Sequence, residues 1–199
     1  MHSSATLARA QAAIAADGGK VTLAYAVGCV DGTPCNSTAG FAAAIAAAQG
    51  AAAVLFFGGL APSGGGPQPG TQEGEEFDRT DLGMPGQQEA LIRALAATGA
   101  PVALVRLRGG PVALSDALYA DNATLPAVVD APYPGELGGD ALADVLLGAV
   151  APSGRLACTV YASSFADTRS IIDYNMSSAE GVTVRGEWGG ISGRSRAEA

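Results

Sequence analysis

Short apolar runs alternate along the chain with longer stretches that have helical spacing. Runs of strand length occupy residues 21–27, 52–57, 101–107, 125–131 and 155–161. Stretches rich in Ala and Leu, closed by Gly or Pro, predict helices at residues 4–16, 37–49, 85–98, 112–120 and 135–147. Strands that alternate with helices predict an α/β fold. We expect a mostly parallel sheet with helices on both faces, that is, a three-layer sandwich.

A long irregular loop interrupts this pattern, and the pattern fades near the C-terminus. The 199 residues fit one large domain, which we place at residues 1–165, followed by a polar, Gly-rich and poorly patterned tail at 166–199. The loop at residues 58–84 follows the second predicted strand and is rich in Gly and Pro in its first half. Parallel sheets bind ligands beyond the carboxyl ends of their strands. The loop leaves such an end, so it is the first candidate for a functional site.

The second half of this loop has the densest charge in the chain. Only 15% of all residues are charged, yet nine consecutive residues contain Glu73, Glu75, Glu76, Asp78, Arg79 and Asp81. Such a cluster can carry acid/base chemistry. It can equally be a solvated acidic loop, anchored by an ion pair between Asp78 and Arg79. The residues alone leave both interpretations open.

Composition and charge exclude several classes of function. The net charge is −8 and no cluster of Lys or Arg occurs, so we expect no nucleic-acid partner, which would need clustered cations. His2 is the single histidine, which excludes Ser–His–Asp and Cys–His catalysis and imidazole zinc sites. The Gly-rich segments GGLAPSGGG and GELGGD match no nucleotide-binding motif, so we expect no cofactor. Acid/base chemistry must then come from carboxylates, Tyr or Lys20.

Targeting segments and cysteines give weaker signals. Residues 39–61 are uncharged but too weakly apolar for a membrane span, so we expect no membrane partner. The first residues show no evident secretory signal.

Cys29 and Cys35 flank a short turn and could form a local disulfide. Cys158 lies in an apolar run, which predicts a core thiol.

Four segments, in order along the chain, carry a resemblance to a known family. They are GEEFDRTDLGMPGQQEALI, PVALVRLRGGPVAL, APYPGELGGDALADVLLG and APSGRLACTVYASSF. Over residues 21–165 the chain resembles the C-terminal α/β sandwich domain of glycoside hydrolase family 3. That family includes β-glucosidases and β-xylosidases.

The resemblance implies an active site divided between two domains. In the family, the nucleophilic Asp stands on a separate (β/α)₈ barrel, and the C-terminal domain supplies the acid/base Glu on a loop. The matching position here is Glu75, three residues before Asp78 and Arg79, with Glu73 as the alternative. Asp78 and Arg79 would anchor the loop or the substrate. A barrel takes about 250 residues, so we expect a detached second domain that needs a barrel partner.

The function that the resemblance implies is retaining hydrolysis of a β-glucoside or β-xyloside, with the isolated chain inactive. We also expect a concave or apolar surface beside the loop, where a barrel would dock. Family members are typically extracellular. The alternative function is a non-catalytic module of the same fold that binds carbohydrate or docks a partner.

Overall fold

A parallel sheet covered by helices organises the chain, as a computed structural model shows. The structure describes residues 2–16, 21–32, 34–63, 73–74 and 78–167. The helices are α1 His2–Ala16, α2 Phe41–Ala48, α3 Gln88–Ala96, α4 Asp116–Tyr119 and α5 Gly138–Leu146, with a 3-10 helix at Ser163–Asp167. The strands are β1 Val54–Gly59, β2 Pro62–Ser63, β3 Glu73–Gly74, β4 Val102–Arg108 and β5 Ala127–Pro132.

The main sheet has three parallel strands in the order β1, β4, β5. Val54 of β1 lies opposite Val102 of β4, and Val105 of β4 lies opposite Val129 of β5. The central strand β4 is apolar along most of its length because both of its faces are covered, as parallel sheets require. The strands predicted at 52–57, 101–107 and 125–131 are therefore confirmed, with slightly shifted ends.

Alternate residues of the strands face two separate cores. Phe56 and Leu104 belong to the larger core, which also contains Leu91 of α3 and small residues of α2. Their neighbours in sequence, such as Val105, point to the opposite face and pack with Leu142 of α5. Helices thus cover both faces of the sheet, as the alternation of apolar runs and helical stretches predicts.

Two predicted strands are wrong. Within the part of the chain that the structure describes, residues 21–27 and 155–161 pair with no strand, although both runs are apolar. A strand needs a neighbour that pairs with its backbone N–H and C=O groups, and these runs do not join the sheet. Most of their side chains are exposed, with Tyr25 57% and Leu156 59% exposed, although Ala26 is partly buried against the larger core. Cys158 is exposed for the same reason, so its prediction as a core thiol is also wrong.

The start of the loop between β1 and α3 is fixed by the amide side chain of Gln88. Its Oε1 accepts a hydrogen bond from the Gly59 N–H at 2.8 Å, and its Nε2 donates to the Gly59 carbonyl at 3.0 Å. Gly59 has a φ of 127°, a conformation that disfavours any side chain. A Cβ there would lie 1.9 Å from the carbonyl oxygen of Leu107. The chain therefore leaves β1 along one defined path.

The end of the same loop is fixed by a disulfide turn. Cys29 and Cys35 are joined by a disulfide, and the buried Cys35 accepts a hydrogen bond from the Gln87 N–H at 2.8 Å. Gly86 has a φ of 53°, and a Cβ there would lie 2.0 Å from the carbonyl oxygen of Pro34. The turn therefore packs directly against the start of α3. This helix begins three residues later than the sequence predicts.

Among the described residues, no helix is both long enough and apolar enough to cross a bilayer.

Candidate active site

The carboxylate of Glu73 is held at the carboxyl ends of two adjacent strands. The short strands β2 and β3 pair in parallel, with Pro62 opposite Glu73. Oε1 of Glu73 accepts hydrogen bonds from the N–H of Gly109 at 2.9 Å and of Gly110 at 3.2 Å, and Oε2 accepts from Gly110 at 3.0 Å. The Tyr133 hydroxyl donates to Oε1 at 2.5 Å. Successive backbone N–H groups in this arrangement form a concave anion-binding site. We call Gly109, Gly110 and Tyr133 the carboxylate cradle.

The cradle has room for a carboxylate only because both backbone donors are glycines. A Cβ at Gly109 would lie 2.7 Å from Oε1 of Glu73, and a Cβ at Gly110 would lie 2.7 Å from Oε2. Real Cβ atoms do not approach other atoms so closely. A side chain at either position would therefore displace the carboxylate.

Tyr133 completes the cradle from the neighbouring strand. It follows β5 directly, and its N–H donates to the Arg108 carbonyl at 2.9 Å. Burial raises the pKa of the Tyr133 phenol, and the hydrogen bond to Glu73 and the charge of Glu73 raise it further. The phenol therefore stays protonated, as a hydrogen-bond donor, across the neutral pH range.

A buried cluster of two arginines and one aspartate joins β4 to β5 beneath the cradle. Asp130 accepts hydrogen bonds from Nε of Arg106 at 2.9 Å and from Nε of Arg108 at 2.8 and 3.0 Å, and Nη2 of Arg108 donates as well. The arginines also reach the turn after β4, where Nη1 of Arg106 donates to the Val112 carbonyl at 2.6 Å and Nη1 of Arg108 to the Gly110 carbonyl at 3.4 Å. We call Arg106, Arg108 and Asp130 the Arg–Asp clamp.

The clamp is ionic despite its burial. Burial opposes ionisation of Asp130, but the hydrogen bonds and charges of Arg108 and Arg106 outweigh it and lower the pKa of the Asp130 carboxyl. The hydrogen bond to Asp130 raises the pKa of Arg108. The Asp130 carboxyl is therefore ionised at neutral pH, and its directional bonds with the two guanidinium groups fix the ends of β4 and β5 relative to each other.

An open cavity of about 410 Å³ lies beside the cradle. Its walls include Glu73, Asp78, Arg79 and Tyr133, together with apolar groups such as Leu82. The surface beside the acidic loop is therefore concave.

The family resemblance implies that Asp78 and Arg79 anchor the loop or the substrate, and in the structure Arg79 contacts two backbone carbonyls. Its guanidinium donates to the carbonyl oxygen of Gly83 at 3.0 Å and also to that of Pro111. Among the described residues, the ion pairs are Arg9–Asp144, Arg106–Asp130 and Arg108–Asp130. Asp78 and Arg79 therefore do not form the ion pair that one of the two interpretations of this loop includes. Arg79 thus holds the loop through backbone carbonyls, and Asp78 lies at the cavity wall.

Of the two candidate acid/base residues, the structure describes only Glu73. Glu73, the alternative, lies in the cradle. Glu75 and its neighbour Glu76 lie outside the described residues, between Gly74 and Asp78. The acid/base assignment of Glu75 therefore stays a prediction.

Sequence reasoning missed the cradle and the clamp. Two signals could have revealed them. One is the pair of arginines in the otherwise apolar run PVALVRLR, matched by an aspartate in the next strand. The other is that Gly109 and Tyr133 each follow the end of a parallel strand, where such ends meet at one edge of the sheet.

Together, the fold and the site define an α/β sandwich domain that presents an acidic loop at the carboxyl edge of its parallel sheet. The family model described as "Glycosyl hydrolase family 3 C-terminal domain" matches residues 4–185, and the chain belongs to this family. The family resemblance found in the four sequence segments is thereby confirmed.

The chain is similar to fungal and plant xylosidases. It is 40% identical over 156 residues to "Exo-1,4-beta-xylosidase bxlB" of Emericella nidulans, covering 77% of this chain and 19% of that protein. It is 41% identical over 145 residues to "Probable beta-D-xylosidase 6" of Arabidopsis thaliana, covering 72% of this chain and 17% of that protein. The chain thus spans about a fifth of the length of these relatives.

Two solved structures of glycosidases also match the chain. The "GH3 exo-beta-xylosidase (XlnD) in complex with xylobiose aziridine activity based probe" matches with a TM-score of 0.65 and 35% identity. The match covers 80% of this chain and 19% of that one. A β-glucosidase from Erythrobacter marinus matches with a TM-score of 0.58 and 26% identity, over 73% of this chain and 21% of that one.

Proposed function

We propose that this chain works as the C-terminal domain of a retaining β-glycosidase that acts on β-xylosides, and that its acidic loop supplies the general acid/base. The observation that carries the proposal is the placement of Glu73. Its carboxylate is pinned beside an open cavity at the carboxyl edge of the sheet, at the start of the acidic segment. Similarity to several xylosidases supports the choice of a xyloside over a glucoside.

The chemistry needs two carboxyl groups about 5–5.5 Å apart. A nucleophilic Asp of a (β/α)₈ barrel attacks the anomeric carbon, the bond to the leaving oxygen breaks, and the acid/base Glu gives that oxygen its proton. The same Glu then takes a proton from water as the water attacks the anomeric carbon and releases the Asp. This chain contributes the Glu, and a barrel domain contributes the Asp.

We assign the acid/base role to Glu75, with Glu73 as the alternative. Glu75 stands three residues before Asp78 and Arg79, where the family pattern has its acid/base, and it follows Gly74 as the pattern asks. The pinned residues on each side of it, Glu73 and Arg79, support the assignment because a proton-transfer group must be held closely.

A domain exchange tests this function. The corresponding domain of the Emericella nidulans exo-1,4-β-xylosidase is replaced by residues 1–199, and Glu75→Ala, Glu73→Ala and the neighbouring control Glu76→Ala are compared. Loss of the acid/base should lower the rate on xylobiose by about 10²–10⁴-fold, and much less on an aryl xyloside with a good leaving group. Added azide should restore turnover of Glu75→Ala and yield β-xylosyl azide, since azide needs no base. If no Glu variant of this segment shows azide rescue, the proposed function is wrong.

The cavity favours a second candidate function, carbohydrate binding without catalysis. It places the partly exposed ring of Tyr133 next to polar groups, and aromatic rings with polar neighbours suit sugar binding. Calorimetric titration of residues 1–199 with xylobiose tests it. Saturable binding that Tyr133→Ala abolishes would favour the binding module, provided that the exchanged enzyme shows no azide-rescued variant.

A further inference from the structure

We propose that Glu73 is a positioning residue, which locks the acid/base loop to the ends of β4 and β5 and does not itself transfer the proton. This inference rests on the proposed function, because it concerns how the same site is held. It assigns a role to Glu73, Gly109, Gly110 and Tyr133 that the sequence motifs do not reveal.

The first reason is that three protein donors already hold the carboxylate of Glu73 in place. A carboxylate has about four acceptor positions. Oε1 accepts from the Gly109 N–H and the Tyr133 hydroxyl, and the Gly110 N–H is shared between Oε1 and Oε2. Three of the contacts thus fall on Oε1 and one on Oε2. Backbone N–H groups can only donate, so they hold Glu73 as an acceptor. A general acid/base must instead direct an oxygen at the substrate within hydrogen-bonding distance.

The second reason is that the cradle is built for a carboxylate at one position. Both of its backbone donors need to be glycine, because a Cβ at either would lie 2.7 Å from an oxygen of Glu73. The glycine donors follow β4 and the tyrosine donor follows β5. The Arg–Asp clamp joins these two strands near the same ends. The contacts bridge 36, 37 and 60 residues along the chain. They therefore tie the acidic loop to distant parts of the domain.

The third reason is the arrangement of fixed points along the loop. Gln88 holds Gly59 at the start of the loop, and Arg79 holds Gly83 near its end. Glu73 adds a fixed point between them, two residues before Glu75. Two residues of any chain span at most about 7 Å, so a fixed Glu73 limits how far Glu75 can move from it. A displacement of about 1 Å can lower a catalysed rate about a hundredfold.

The first experiment uses residues 1–199 alone and needs no activity. Hydrogen exchange of the Gly109 and Gly110 amides is followed by NMR in the wild type, Glu73→Ala and the control Gly154→Ala. A Cβ at Gly154 would meet nothing within 4 Å. We expect both amides to be protected in the wild type and the control, and to exchange at least tenfold faster in Glu73→Ala. Equal exchange in all three proteins would show that the cradle does not hold Glu73 in solution, and would overturn the proposal.

The second experiment uses the domain-exchanged enzyme and compares Glu73→Gln with Glu73→Ala. The Gln side chain keeps an oxygen for the three contacts of Oε1. Its NH₂ group replaces Oε2, so the Gly110 N–H loses that contact and keeps only its bond to the remaining oxygen. A positioning role predicts that Gln restores most of the activity lost with Ala, to within about 2- to 10-fold of the wild type, the effect of one hydrogen bond. A proton-transfer role predicts that Gln is as inactive as Ala, because an amide cannot exchange the proton.

Two further measurements complete the test. Gly110→Ala should expel the carboxylate from the cradle and lower kcat/KM to a similar extent as Glu73→Ala, while Gly154→Ala leaves kcat/KM unchanged. Azide should rescue neither Glu73→Ala nor Gly110→Ala. Formation of β-xylosyl azide by Glu73→Ala would show that Glu73 is the acid/base and would overturn this inference, yet it would leave the proposed function intact. The absence of rescue in every Glu variant would instead refute the proposed function.

Discussion

Replacing Asp130 by Asn should strongly destabilise the domain, because it removes the only carboxylate of the Arg–Asp clamp. The side chains of Arg106, Arg108 and Asp130 are only 7%, 10% and 12% exposed. Asn keeps one oxygen, but it places an NH₂ group against the donors of Arg108 and leaves two guanidinium charges without a counter-charge. Removing one partner of a buried ion pair costs about 3–5 kcal/mol. The residual exposure favours the lower end, so we expect a loss of about 3 kcal/mol in the free energy of unfolding.

A matched control lies on the surface of the same domain. Asp144 forms an ion pair with Arg9 at 3.2 Å, and these side chains are 32% and 45% exposed. Exposed pairs contribute about 0–1 kcal/mol, so Asp144→Asn should change stability little. Urea unfolding at neutral pH, followed by circular dichroism, measures both variants against the wild type. If Asp130→Asn loses no more than Asp144→Asn, the clamp does not hold the strands and the reasoning is refuted.

The effect of Asp130→Asn should also depend on pH. The pKa of Asp130 is lowered in the folded state, so its contribution to stability is present above the unfolded pKa of about 3.9 and is lost as the pH falls through the lower folded value. The stability gap between wild type and variant should therefore stay constant from neutral pH to about pH 5 and narrow below about pH 4. A gap that is unchanged in acid would show that the loss comes from packing and not from charge.

Three other outcomes follow from the structure. Tyr133→Phe should remove a phenol that ionises above its ordinary pH range in an ultraviolet titration. Because the folded pKa of Tyr133 is raised, the stability difference from the wild type should shrink as the pH rises above about 10. The double variant Cys29→Ser, Cys35→Ser should lose about 2 kcal/mol in urea unfolding, the value for closing a loop with a separation of 6 residues, while Cys158→Ser should lose nothing. Residues 1–199 alone should not hydrolyse aryl β-xylosides or aryl β-glucosides, because the proposed mechanism takes one carboxyl of the required pair from a barrel domain. Turnover that disappears in Glu75→Ala would contradict that expectation.

The sequence predicts the elements of this fold well where a single stretch of chain decides them. The run containing Val102 and Val105 is apolar at every strand position but the arginines, and it forms the central strand. The run at 21–27 has the same local character, yet it stays outside the sheet with Tyr25 exposed. The local pattern of apolar residues shows that a segment is suited to a strand. Whether the segment pairs depends on a neighbouring strand, which the local pattern does not identify.

The same limit applies to the site: residues that are close in sequence are predicted, and contacts between residues far apart in sequence are not. The acidic loop is visible in the sequence because its carboxylates are contiguous, and Arg79 is visible as their single cation. The partners of Glu73 are invisible because they lie 36 residues and more away in the chain and because two of them act through backbone N–H groups. A glycine that donates through its backbone N–H has no side chain that a sequence motif could reveal. Only the close approach of Gly110 to Oε2 reveals why no larger residue fits there.

The cradle explains why the domain keeps charges in its interior. Burying three charged groups is costly, and apolar residues of the same size often give equal or greater stability. Apolar packing, however, does not fix direction, whereas the hydrogen bonds of Asp130 to Arg106 and Arg108 fix the ends of β4 and β5 to each other. The donors to Glu73 come from both strand ends, so their spacing must match a single carboxylate. A slip of β5 along β4 would separate Tyr133 from the glycine N–H groups and release the acidic loop. We therefore expect the buried charges to fix the alignment of β4 and β5 at the site in addition to their contribution to stability.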